Sequence, residues 1–254
     1  MLSVTSVTRE SIAEGPFDFR NLTHGYVGNH DTERAVLNQI VPPRFLFRWA
    51  FTARRMANLP RTTGRLLDLP DECLLPSLSE LDQRRDFATV KLAWNDGGFG
   101  ISVEVSGRSQ RPNPLQGENV RADGIWLWFD TRNTQTVHRA TKFCHHFILL
   151  PHGAGPNQNS PVVKALPVAR AREETSLPDQ RLVKIQSEIS SSGYWLDAWF
   201  PVNVFAGFEP ATNNRIGFHF SIHDSELGNQ TLAVSSEFPF ESDPSLWQTV
   251  ELVP

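Results

Sequence analysis

The chain has 254 residues and a formal net charge of −4. That length suits one large β domain with interior enough to fold without disulfides or metals. The slightly acidic balance supplies no basic field to draw in nucleic acid or anionic lipid. Seven Trp and seventeen Phe against two Tyr are unusual, and Trp, rigid and amphipathic, is common where a protein meets a ligand as well as in cores. Two cysteines, Cys73 and Cys144, are too few for a disulfide framework. The first ten residues carry neither a basic start nor an apolar run, so no secretory signal is read. The expected location is cytoplasmic, and extracellular only if the true start lies upstream. No stretch approaches the roughly 20 apolar residues of a membrane span.

Residues 1–40 are weakly patterned and broken by Gly15-Pro16 and His24-Gly25, which predicts an irregular N-terminal arm before a single domain over 41–254. The first strong element is 44–51, where Phe45, Phe47, Trp49 and Phe51 alternate with Arg44, Leu46, Arg48 and Ala50 as in a half-buried strand. A connector with Pro60, Pro70 and Pro76 follows and ends in a helical turn at 78–82. Two alternating runs, 87–94 and 99–105, flank Asn95-Asp96-Gly97-Gly98 and predict a tight hairpin. Residues 123–130 form a strand apolar on both faces, with Ile125, Leu127 and Phe129 on one side and Trp126 and Trp128 on the other. Another strand covers 142–150. A second hairpin joins 182–188 to 194–200, and a turn of helix begins at Pro201. The last strands are 216–222 and 247–253. About eight to ten strands and no long amphipathic helix predict an all-β, antiparallel two-sheet sandwich of jelly-roll or immunoglobulin-like type.

Four of these segments carry a resemblance. Gly193-Tyr194-Trp195-Leu196-Asp197-Ala198-Trp199-Phe200-Pro201 is similar to the "dGY.vE..iPw" strand of family 9 carbohydrate-binding modules and their DOMON-like relatives, with Asp197 in place of the usual Glu. Ile216-Gly217-Phe218-His219-Phe220-Ser221-Ile222-His223-Asp224 resembles their "iGF...v.D". Ala122-Asp123-Gly124-Ile125-Trp126-Leu127-Trp128-Phe129-Asp130 resembles "aDsv.i.iD", and the 87–105 hairpin takes the place of their first core hairpin. The ordered set spans about residues 40–254. It implies that family's fold and non-catalytic binding of a carbohydrate or similar polyhydroxylated ligand, although fold alone does not fix function.

Alternation puts Trp195, Asp197 and Trp199 on one face of their strand, and His219, Ser221 and His223 together on theirs. If both strands pair with the Trp126/Trp128 strand, one sheet face carries four Trp, two His and an Asp. Indole faces would stack on sugar C–H groups, and Asp197, His219 and His223 would bond hydroxyls. The alternative is a structural or protein-interaction module of the same fold, in which that aromatic face is covered. No cofactor is required. The resemblance implies structural calcium, for which Asp123, Asp130 and Asp224, with Asn133, lie at strand ends. Zinc is disfavoured because neighbours such as Cys144 and His145 point to opposite faces, and His219 and His223 lie about 13 Å apart along a strand. No nucleophile elbow or P-loop is present. Met1 and Met56 fall outside the core strands, against a Met/His haem. Glycoside hydrolysis stays open, since carboxyl separation is a three-dimensional quantity.

Overall fold

Strands form wherever alternation is clear. In the computed structural model, which describes residues 47–82, 84–114, 122–173 and 176–254, they are β1 (Ala50–Arg55), β2 (Ala88–Asn95), β3 (Gly98–Ser106), β4 (Gly124–Asp130), β5 (Cys144–Ala154), β6 (Ser160–Leu166), β7 (Lys184–Ile189), β8 (Gly193–Pro201), β9 (Arg215–Asp224), β10 (Gly228–Thr231) and β11 (Gln248–Val253). The only helical elements among the described residues are one-turn 3-10 segments, including 79–82 and the turn after Pro201. The expected arm, 1–40, lies outside the described residues.

Both hairpins form as read. Asn95 pairs with Gly98 across the Asp96-Gly97 turn, and the Asn95 side chain accepts the Gly97 N–H at 2.8 Å. The β7–β8 hairpin turns just before Gly193, which must be glycine because a Cβ there would lie 1.9 Å from the Val105 carbonyl oxygen. The first strand is displaced from its expected position. It begins at Ala50, with Phe51 and Ala53 buried and Phe47 61% exposed, because parallel pairing with β11 holds the register Ala50–Thr249 to Arg54–Val253. β6 and β10 were not legible. Pro161 interrupts β6, tolerable because β6 ends the strand path, and β10 is Gly-Asn-Gln-Thr with no apolar alternation.

The expectation of an all-β chain holds, but the pairing differs from two antiparallel sheets. One hydrogen-bonded path runs β6-β5-β4-β9-β11-β1-β2-β3-β8-β7, with β10 added to β9. The path curls until its ends approach, and Ser187 Oγ of β7 donates to the Pro151 carbonyl of β5 at 2.5 Å. The result is a nearly closed, barrel-like sheet. Inside it Phe99, Phe129, Phe147, Phe200, Phe205 and Phe218 form a continuous ring cluster, for example Phe147–Phe200 at 4.9 Å between centroids. β1 is parallel to both neighbours, β11 and β2. A parallel pair requires a crossover, and the link after β1 lays Leu67, Leu69 and Cys73 on the outside of the sheet before Leu75 and Leu78 join the core.

Two polar devices close the structure. Gln230 of β10 accepts the Phe87 and Ala88 N–H groups and donates to the Ala88 carbonyl at 2.8 Å, so its amide serves as a strand partner for the start of β2. Arg108, after β3, is buried between Asp123 and Asp224 at adjacent ends of β4 and β9. Its Nη2 lies 3.0 Å from Asp123 and its Nη1 donates to Asp224. The carboxylates take further N–H bonds from Asn113 and Ser225, and from Glu226 and Leu227, respectively. Removing the cation alone would leave two buried carboxylates facing each other. Arg108→Met should therefore cost about 3–5 kcal/mol or prevent folding, as read by urea denaturation. Arg181→Met, which breaks only the exposed pair with Asp179, should leave the midpoint unmoved. Similar small shifts in both variants would refute the role assigned to Arg108.

Candidate functional site

The strand path separates the expected aromatic residues into two groups. β4 pairs with β5 and β9, placing Trp128 opposite His146 and His219, and Trp126 opposite Ile148 and Ser221. β8 pairs with β3 and β7. Trp195, Asp197 and Trp199 thus belong to a different part of the sheet, and the four indoles do not share a face.

On the β4/β9 outer face, burial divides the residues further. Trp128 is 2% exposed, stacked on His146 at 4.6 Å and 9°, and met edge-on by Phe240 at 5.2 Å. His219 is fully buried with its ring 4.5 Å from that of Phe240. The segment after β10 carries Val234 and Phe240 onto this face, and Trp247 joins them. Trp126 packs at the margin of that cluster, and it and His223 are half-buried and meet edge-on at 6.2 Å. They lie in a groove of about 970 Å³, within the size range of small-ligand sites. Ser221 and Asn229 line it beside them, Arg84 and Arg85 come from the link before β2, and Glu237 and Glu241 from the covering segment. His223 Nδ1 is 2.7 Å from Asn229 Oδ1. With Nδ1 donating there, a neutral ring keeps Nε2 as an acceptor. The groove therefore offers one aromatic surface surrounded by donors and acceptors.

The β8 residues are covered instead. The crossover lays Leu67, Leu69 and Cys73 against Ala93 and Trp199, which is 2% exposed. Asp197, fully buried, anchors that strap: it accepts from Arg65 Nε at 3.0 Å, Arg65 Nη2 at 3.1 Å and the Leu67 N–H at 3.1 Å. The same guanidinium lies 4.3 Å over the Trp195 ring. Arg65 thus occupies the positions on Trp195 and Asp197 that a ligand was expected to take.

The expected calcium residues also separate. Asp123 and Asp224 share Arg108, whose guanidinium stands where a cation would bind. Asp130 is at the other end of β4, about 20 Å along the strand, and accepts the Arg132 and Thr134 N–H groups. No cluster of three His, Cys, Asp or Glu side chains suited to a metal occurs among the described residues. Both cysteines are free and buried. Burial pushes the Cys144 thiol up to about 12, so it is protonated and unreactive at neutral pH. No helix among the described residues is long and apolar enough to cross a membrane.

Several site-forming residues escaped sequence reasoning. Asn229 and Gln230 sit on a strand without alternation, and Glu237 and Glu241 on an irregular segment. Only the Asp224…Gly228 turn next to the His223 strand could have suggested a short partner strand.

No family model matches the chain, and no curated protein does. Among solved structures, a family 9 carbohydrate-binding module from Caldicellulosiruptor kristjanssonii in complex with cellotriose superposes with a TM-score of 0.54 at 13% identity, covering 81% of this chain and 94% of that one. The module in complex with glucose gives 0.51 at 13% identity, with 81% and 95% coverage. The chain has a fold like that of the family 9 modules, as the four motifs implied.

Burial also sets a pH dependence. Desolvation holds His145 and His146 down to about 4, against the ordinary 6.5. The unfolded chain then binds more protons between those values, so the stability of the neutral rings is present above about pH 6.5 and lost as pH falls towards 4. Urea midpoints should drop from pH 7 to pH 4.5. The His145→Gln/His146→Gln double variant should show a flatter profile, and parallel profiles would contradict the assignment.

Proposed function

We propose that the groove beside Trp126 binds a carbohydrate or similar polyhydroxylated ligand without transforming it. The observation that carries this reading is one half-exposed indole next to His223, Asn229 and Ser221 in a concavity of about 970 Å³. A pyranose presents an apolar C–H face and a rim of hydroxyls, matching an indole bordered by hydrogen-bonding groups. The complexes of the structural neighbours with cellotriose and glucose support the same ligand class.

In this reading Trp126 and His223 touch the ligand. Trp128 and His219 fix the floor from beneath, and Trp195, Asp197 and Trp199 hold the crossover strap. For that β8 group the alternative of covered aromatic residues is favoured, by Arg65 lying across Trp195 and by the burial of Trp199. Calorimetric titration with mono- and oligosaccharides tests the assignment. Trp126→Ala should weaken binding tenfold or more, and Trp195→Ala should change stability while leaving affinity intact. Absence of binding at millimolar sugar, or a reversal of the two variants, would sink it.

A further inference from the structure

The groove continues beyond its polar rim. Ser79, Asp86, Gln230 and Thr231 line both it and a second recess of about 130 Å³. This recess differs in chemistry. Leu75 and Leu78 of the crossover, Ala88 and Val90 of β2, and Phe220 and Leu232 from the β9 side form its walls. These six are core residues, none more than 8% exposed. Leu74, 45% exposed, also lines it. Gln230 on the shared wall commits its carbonyl oxygen and one N–H to β2, so the amide contributes little to hydrating the recess. An apolar recess beside a polar groove prefers a ligand with one part of each kind. The volume sets the size: an engineered apolar cavity of about 150 Å³ in another protein accepts benzene, and a long alkyl chain would not fit.

We propose that the ligand is a glycoside whose aglycone is a single aryl ring, with the sugar on Trp126 and His223 and the ring between Val90, Phe220 and Leu74. This rests on the carbohydrate reading of the groove. The test is calorimetry on the full chain with matched methyl and phenyl pyranosides of glucose, galactose, xylose and mannose. For the sugar that binds, the phenyl glycoside should bind at least tenfold more tightly than the methyl one. Val90→Phe, which fills the recess, should abolish that gain and leave methyl glycoside affinity in place. Leu74→Ser alters a side chain that is 45% exposed, and should cut the gain severalfold. Equal affinities for methyl and phenyl glycosides would overturn the proposal and leave the carbohydrate reading standing. A phenyl gain that survives both substitutions would also overturn it, since the ring would then sit elsewhere. Failure of every glycoside to bind would overturn both.

Discussion

The buried guanidinium of Arg108 is the constraint on which the groove end of the fold depends. Burying two carboxylates, Asp123 and Asp224, costs heavily unless a cation and a full set of donors compensate them. Arg108 supplies the cation, and loop N–H groups on both sides supply the donors. Because Asp123 opens β4 and Asp224 closes β9, that single side chain ties two loops to adjacent strand ends. Trp126 lies three residues from one carboxylate and His223 is next to the other. The half-buried aromatic pair of the groove is therefore flanked by buried charges.

A second constraint decides which aromatics are free. Parallel pairing of β1 with β2 cannot be closed by a short turn. The returning link crosses the outside of β2, β3 and β8, and once there it must bury its own apolar side chains. Leu67 and Leu69 do so on Trp199, and Asp197 with Arg65 satisfies the strap's polar groups. Trp195 and Trp199 are thus occupied by a topological requirement of the fold. On the β4/β9 side the cover comes from the segment between β10 and β11, and it buries Trp128 while Trp126, packed at the margin of the same cluster, stays half-buried.

This explains what could be read from the sequence. Period-two alternation gave the hairpin at Asn95–Gly98, the apolar β4 strand and the β8 strand, since those signals are local. The lateral order of strands is not local: alternation places Trp195 and Trp199 on one face of β8 but does not say which strand lies beside it. Nor does it reveal a parallel neighbour, so the 56–87 link read as a plain connector. The expected face of four Trp failed at that step. β10 was missed for a different reason, because its pairing rests on Gln230 bonds and an edge position, neither of which leaves an apolar trace.

Several residues behind the family resemblance serve the frame. Gly193 is required by the closeness of Val105, Asp123 and Asp224 by Arg108, and Asp197 by the strap. Residues tied to the frame in this way mark the fold even though identity to the solved modules is only 13%. Beside the motif residues Trp126, Ser221 and His223, the groove is lined by Asn229, Glu237 and Glu241, and the adjoining recess by Leu74, Leu75 and Leu78, all outside the motifs. These belong to the crossover, the short β10 strand and the covering segment, the parts of the chain with the weakest periodic signal. Part of the groove and recess lining therefore sits where the sheet's own pattern ends, on segments released from the alternation that the strands impose.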